Sequence, residues 1–249
     1  MILGKRITLV IPCRNEEHAL ALLLKKVPKS VDEVLVIDNN SADKTRLVAK
    51  KFGARVISEK RQDHGVGYGF AHQTGLKHAS GEIVITVDGD NTYPVKVITQ
   101  LVRYMQKNRL DFVSCNRFPL DDIDVISPVR QLGVWVLNME VRMLYGFTMQ
   151  DILSGMWAVR REANPPLTLQ EGGWNLSPEI KLEALTKYGD KFGEFHIHHE
   201  YRAEGVSKQQ IWVTGFDHLS YIFLRWLQKD NSLVRYVRKQ LLSPLSLAE

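Results

Sequence analysis

Short unbroken apolar runs alternate with stretches in which apolar residues recur every three or four positions. Residues 7–11, 34–37 and 83–87 are such runs, rich in Ile and Val, and 56–58 is a shorter one. Lacking polar alternation, they predict strands buried on both faces, as in a parallel sheet. Between them, residues 14–27, a stretch starting near Lys44, and 70–78 carry helical periodicity. Glu16 and Glu17 fall in the first turn of the first helix, where acids complement the helix dipole, and Ser41 or Asp43 is placed to cap the second. This strand–helix rhythm predicts parallel βαβ units with right-handed crossovers over the first 95 or so residues.

Further on, 110–115 predicts a strand, 118–130 a loop long enough to be functional, and 132–147 a helix that is apolar around most of its circumference. A strand over 152–159 interrupted by Ser154-Gly155, a helix over 176–188 and a strand over 194–201 follow. The C-terminal part differs in character. Phe216, Leu219, Phe223 and Trp226 keep helical spacing among Arg225, Lys229, Arg235, Arg238 and Lys239. Such a basic amphipathic segment suits either an anionic membrane surface or a helix that closes the core. The expected division is therefore 1–212 as one α/β domain and 213–249 as the amphipathic segment.

Composition narrows the class without choosing a function. The chain has 249 residues, 44% hydrophobic and 24% charged, enough for one large α/β core. Its net charge of +5 suits phosphate-bearing substrates, nucleic acid or an anionic membrane, and by itself selects none of them. Two cysteines, Cys13 and Cys115, exclude a disulfide framework and make a reducing cytoplasm the expectation. No stretch approaches the roughly 18 consecutive apolar residues of a spanning helix.

The chemistry concentrates after the run at 83–87, which drives into Asp88-Gly89-Asp90 and is shut by Pro94. The carboxyl end of a parallel strand is where open α/β sheets bind ligands. Two acids there repel unless a cation or a hydrogen-bonded hydroxyl takes up the charge. Asp38, at the end of the second strand, would add a third carboxylate along the same edge, an oxygen-only set suited to Mg2+ or Mn2+. Gly65, Gly67 and Gly69 lack the register and position of a dinucleotide fingerprint, and imply close approach of the backbone to a ligand or a neighbouring chain. His196, His198 and His199 have no further acid–histidine pattern to complete a zinc site. Ser154-Gly155 lacks a nucleophile elbow.

Taken in order, Pro12 to Glu17, Val36 to Thr45 and the Asp88-Gly89-Asp90 (DXD) triplet resemble glycosyltransferase family 2 with its GT-A fold. Asn116-Arg117, Ser127 to Arg130, Asp151 to Gly155, and Glu194 through Arg202 to Lys208 are similar to the branch that holds dolichol-phosphate mannose synthases and other polyprenyl-phosphate glycosyltransferases. The resemblance implies that Pro12, Arg14, Glu16 and Asp38 line a base and ribose pocket. It implies that Asp88 and Asp90 hold a UDP- or GDP-linked sugar donor through Mg2+ or Mn2+. Thr92, standing where the mannose synthases carry a glutamine, would be a further metal ligand. Arg117, Arg130, Ser154 and Arg202 would meet the donor diphosphate and the phosphate of a dolichyl or undecaprenyl acceptor. Asp151 would be the general base if the acceptor were instead a hydroxyl, on a saccharide or a soluble molecule. A third expectation is a sugar-nucleotide-binding subunit without catalysis. With a lipid acceptor the protein would be peripheral on the cytoplasmic face of the membrane, using 132–147 and the basic C-terminal segment.

Overall fold

The computed structural model describes residues 1–202 and 209–228. Four parallel strands carry the first half: β1 (Ile7–Cys13), β2 (Glu33–Asp38), β3 (Arg55–Ser58) and β4 (Ile83–Thr86). Between them run the helices α1 (Glu17–Lys26), α2 (Thr45–Lys51) and α3 (Tyr68–His78). α4 (Ile98–Lys107), β5 (Phe112–Asn116), α5 (Pro128–Tyr145), β6 (Trp157–Arg160), α6 (Leu176–Tyr188), β7 (Phe192–His196) and α7 (Ile211–Gln228) follow. The strands form one seven-stranded sheet in the order β3-β2-β1-β4-β6-β5-β7. β6 runs antiparallel to both β4 and β5, so the sheet is mostly rather than wholly parallel.

Period-two alternation decides the layering. Leu9 and Ile11 of β1 and Ile83 and Ile85 of β4 face α1 and α4 in one core, with Leu20, Leu23, Ile98 and Leu101. Val10, Val84, Leu35 and Ile37 face α3 and α6 in a second core, with Trp157, Phe112, Ile180 and Ala184. A third cluster joins α5, α6 and α7 through Leu137, Val141, Leu182 and Ile222. The chain leaves β1 toward β2 and β3, then crosses back to β4 on the other side. The crevice beyond the carboxyl ends of β1 and β4 is therefore the topological switch point, the preferred ligand site of such sheets.

Several expected boundaries move. The strand expected at 152–159 is only β6, from Trp157. Upstream, the Gly155 N–H donates to Tyr93 Oη (2.6 Å) and the Ser154 carbonyl accepts from Lys181 Nζ (2.6 Å), so side chains rather than a neighbouring strand satisfy this backbone. The strand expected at 194–201 is β7, which ends at His196. The chain then crosses to the site, where Glu200 N–H donates to the Thr92 carbonyl (2.8 Å). α5 begins at Pro128, a residue pre-organised for a first helical position, and ends at Gly146 in the left-handed conformation. Helix α4 is an addition, its Ile98, Leu101, Val102 and Met105 forming one buried stripe. The proposed boundary at 212/213 falls inside α7. Lys229, Arg235, Arg238, Lys239 and the Gly205 to Lys208 motif lie outside the described residues. Among the described residues, no helix is long and apolar enough to cross a membrane.

Candidate active site

A cavity of about 1250 Å³ opens at the switch point. Its polar half is walled by the β1 end (Pro12, Arg14, Glu16), by Asn39 and the Gly65–Gly67 backbone, and by Asp88 and Asp90. Arg14 Nη1 donates to the Gly65 carbonyl (2.6 Å), tying the two loops together. Both readings left open by the sequence apply: Gly67 and Gly69 approach neighbouring chain, while Gly65, in the left-handed region with open space around it, and Gly67 also border the cavity. A Cβ on Gly67 would lie 2.2 Å from the Asn39 amide, and one on Gly69 would lie 2.1 Å from the Glu171 carbonyl oxygen.

Asp88 accepts from Tyr68 Oη (3.1 Å) and packs so closely on Gly155 that a Cβ there would sit 2.5 Å from Asp88 Oδ2. Its depth in the cavity, and then the charge of Asp90, push its carboxyl up to about 7. Asp90 Oδ1 accepts from the Thr92 N–H (3.1 Å) and from Thr92 Oγ1 (2.7 Å), while Asp90 Oδ2 accepts from Arg202 Nη2 (2.5 Å). The Thr92 hydroxyl is thus engaged in orienting Asp90, a different task from the metal ligation expected of it.

The donor set fits a hard divalent cation. Two carboxylates stand together, one of them pushed up by burial and then by the other's charge, and all the oxygens are of the kind Mg2+ and Mn2+ take. Among the described residues no group of three or more His, Cys, Asp or Glu side chains gathers as a closed metal cage. A pH dependence follows. A cation held by Asp88 would compete with the proton there, since its folded-state value lies above the ordinary 3.8. Mn2+ affinity, measured by calorimetry, is expected to rise up to about tenfold per pH unit between about pH 5 and pH 7 and to level off above. A flat profile across that window contradicts the assignment.

Three guanidinium groups converge on the far side of the acids. Arg117 lines the cavity and pairs in bidentate fashion with Asp151 (Nε–Oδ2 2.6 Å, Nη2–Oδ1 2.9 Å). Arg130 comes from the first turn of α5, and Arg202 from the crossing segment after β7. Burial, and then the charges of Arg202 and Arg117, lower the Arg130 value, which reports how close the three stand. The α5 N-terminus adds the positive end of a helix dipole to the same corner.

Three expected residues take other places. Asp38 is fully buried, binds Arg46 Nε (2.6 Å) and the Ser41 N–H (3.3 Å), and leaves the pocket wall to Asn39, the next residue. Asp151 is fully buried behind Arg117, its carboxyl held below the usual range. Burial works against that and the Arg117 charge outweighs it, so Asp151 is a counterion and is poorly suited to act as a base. Ser154 is fully buried and contributes its carbonyl to Lys181, so its hydroxyl does not line the cavity. The histidines separate. His198 Nδ1 lies 2.9 Å and His196 Nε2 3.8 Å from Asp121 on the outside, whereas His199 lines the cavity edge-on to Tyr93. Residues that the sequence reading missed include Tyr68, Tyr93, Trp174 and Lys181, whose only sequence signal was a polar or aromatic group inside an otherwise ordinary helix or loop.

The cavity does not end at the arginines. It continues as an apolar groove between α5 and α7, with Ile126, Leu132, Leu137, Trp212, Phe216 and Leu219 in its walls.

Comparison with known proteins gives the same outline. A family model described as Glycosyl transferase family 2 matches residues 8–166. An uncharacterised glycosyltransferase of Mycobacterium tuberculosis is 34% identical over 82% of this chain and 90% of its own. A dolichyl-phosphate hexose transferase of Haloferax volcanii is 30% identical over 73% of this chain and 75% of its own. Among solved structures, glucosyl-3-phosphoglycerate synthase of M. tuberculosis, in complex with Mn2+, UDP and glucosyl-3-phosphoglycerate, superposes with a TM-score of 0.69. It shares 22% identity over 92% of this chain and 82% of that one, a likeness of fold.

Proposed function

The chain belongs to glycosyl transferase family 2, and from that premise we propose that it transfers a sugar from a UDP- or GDP-linked donor to a polyprenyl phosphate such as dolichyl or undecaprenyl phosphate. The observation that carries this reading is the continuity of the arginine corner with the α5–α7 groove. A phosphate-binding basin that opens into a long apolar trough matches a phosphorylated isoprenoid, one end anionic and the rest hydrocarbon. The dolichyl-phosphate hexose transferase among the relatives supports the same acceptor class.

The residues divide the work accordingly. Pro12, Arg14, Glu16 and Asn39 border the nucleoside end. Asp88 and Asp90 would hold Mg2+ or Mn2+, which supplies charge neutralisation for the leaving diphosphate. Arg202, already within reach of Asp90 (2.5 Å) and Glu16 (3.9 Å), stands between the donor and acceptor ends and can share both phosphate groups. Arg130 and the α5 N-terminus orient the acceptor phosphate. One phosphate oxygen attacks the anomeric carbon as the bond to the diphosphate oxygen breaks, which inverts an α-linked donor to a β-linked product. A phosphate nucleophile is anionic at neutral pH, so this chemistry needs no general base. That agrees with Asp151 being held by Arg117.

Exposed apolar side chains beside the groove supply a route to the lipid. Trp212 is 77% and Phe216 69% exposed on α7, and Leu132, Trp135 and Met143 are exposed on α5. They form the surface we assign to the membrane interface, on its cytoplasmic side. A soluble phosphorylated acceptor is the second reading, favoured by the arginine corner alone and by the phosphoglycerate-using structural neighbour. Chain length separates the two. Across a series of isoprenyl phosphates of increasing length, KM is expected to fall steeply as the chain fills the groove, and Arg130→Ala to raise KM for every member about tenfold or more. A KM independent of chain length, or 3-phosphoglycerate as the best acceptor, sinks the lipid reading.

A further inference from the structure

We propose that Trp174 is the platform on which the donor's sugar ring lies, and that it selects a pyranose whose hydroxyls on the stacked face are all equatorial. This rests on the nucleotide-sugar reading of the site and adds the sugar end that the family residues leave unassigned.

The nucleoside end and the acid pair define a direction. Pro12, Asn39 and Gly65–Gly67 border one end of the polar basin, and Asp88 and Asp90 form its middle. Tyr68, Trp174, Ser177 and His218 also stand in the cavity wall, where α3 and the segment before α6 meet beside Asp88. Tyr68 links the two parts: its hydroxyl donates to Asp88 Oδ1 (3.1 Å), and its ring centroid lies 4.9 Å from that of Trp174 at an interplanar angle of 36°. A sugar attached to a diphosphate held at Asp88 therefore comes within reach of the indole.

The platform is rigid. Tyr68 is backed by buried His72 in an edge contact (4.5 Å), and His72 by buried Trp157 (5.6 Å), so four aromatic rings touch in series, edge-on and tilted, from the core to the cavity. The segment that carries Trp174 is clamped on both sides. Gly69 N–H donates to the Gly172 carbonyl (2.8 Å), and a Cβ on Gly172 would strike the Phe70 ring at 2.3 Å. From α7, His218 Nδ1 meets Asn175 Oδ1 (2.8 Å).

Such a wall has two consequences for recognition. The face of an indole is electron-rich and attracts the axial C–H bonds of a pyranose, whereas an axial hydroxyl on that face would lose its water without gaining a partner. Ser177 at the edge of the same wall can meet equatorial hydroxyls, giving the apolar surface with few polar groups that is typical of small-ligand sites.

The test is titration calorimetry in Mn2+, without acceptor, using UDP, UDP-glucose and UDP-galactose, with GDP and GDP-glucose as the guanine arm. For Trp174→Ala the affinity for the nucleotide glucose is expected to fall about tenfold while that for the bare nucleotide is unchanged. Trp174→Phe is expected to retain most of it, and any preference for glucose over its C4 epimer should shrink in the alanine variant. Retained nucleotide binding shows that the variant is folded. Equal loss for UDP and UDP-glucose, or loss for neither, overturns the proposal while leaving the acceptor question untouched. A wild-type protein that binds neither nucleotide sugar overturns the donor reading and this proposal together.

Discussion

Asp90→Ala is expected to lower kcat by about 10³-fold, the scale on which a group aimed at developing charge contributes. The substitution removes one of two carboxylates available to the cation and leaves Arg202 without its partner at 2.5 Å, so the arginine can collapse onto Asp88 or Glu16. Asp90 lies at the cavity and not in a hydrophobic core cluster, so the thermal midpoint should move little. Steady-state kinetics with saturating Mn2+ checks the loss. A variant that keeps more than about a tenth of wild-type kcat would deny the acid pair its role.

Asp151→Asn is expected to destabilise the fold by about 3–5 kcal/mol, the cost of leaving a buried charge unpaired. Arg117 has only 13% side-chain exposure and gives three bonds to Asp151: two from its guanidinium and one from its own backbone N–H (3.2 Å). The sign with pH follows from Asp151 lying below its ordinary value in the folded protein. Its contribution is complete at neutral pH and is lost as pH falls through the folded value. Denaturant melts at neutral and acid pH read both effects, and the gap between wild type and variant should narrow in acid. Pairing Arg117→Met with Asp151→Leu should restore much of the stability and none of the activity. A fully stable Asp151→Asn that only loses turnover would return Asp151 to the role of a base.

These two acids mark where the sequence was legible. Asp88 and Asp90 follow an apolar strand, and strand ends at a switch point have one geometric meaning, so their place in the crevice follows from local pattern. Asp151 stands among Ile152, Leu153 and Ser154, a stretch that reads equally well as strand. Only the tertiary pairing with Arg117, 34 residues earlier, and the Tyr93 hydroxyl on Gly155 turn it into a buried bend. Asp38 failed for a related reason. The strand end was correct, but Arg46, the second residue of α2, claims its carboxylate, and the neighbouring Asn39 faces the cavity instead.

The fold was readable wherever a buried parallel strand met an amphipathic helix, as in β1–α1 and β4, and less so where sheet direction reverses. β6 carries no sequence mark of running antiparallel, because direction is set by the connection and not by the residues. α4 was there to be read: its buried residues at 98, 101, 102 and 105 keep helical spacing with charged and polar residues between them, the pattern of an amphipathic helix, and the sequence reading passed over it. The greasy circumference of α5 had a clearer outcome. Leu137 and Val141 pack on α7, while Leu132, Trp135 and Met143 remain exposed, so the helix both packs and presents an apolar face.

The most direct test of the central claim is product analysis. The protein is incubated with UDP- and GDP-hexoses, Mn2+ and undecaprenyl phosphate in detergent, with 3-phosphoglycerate in parallel, and both phases are read by mass spectrometry. The account predicts a hexosyl-phosphate lipid in the organic phase, absent with Asp90→Ala. A sugar found only on phosphoglycerate, or no glycolipid with any donor, would contradict it.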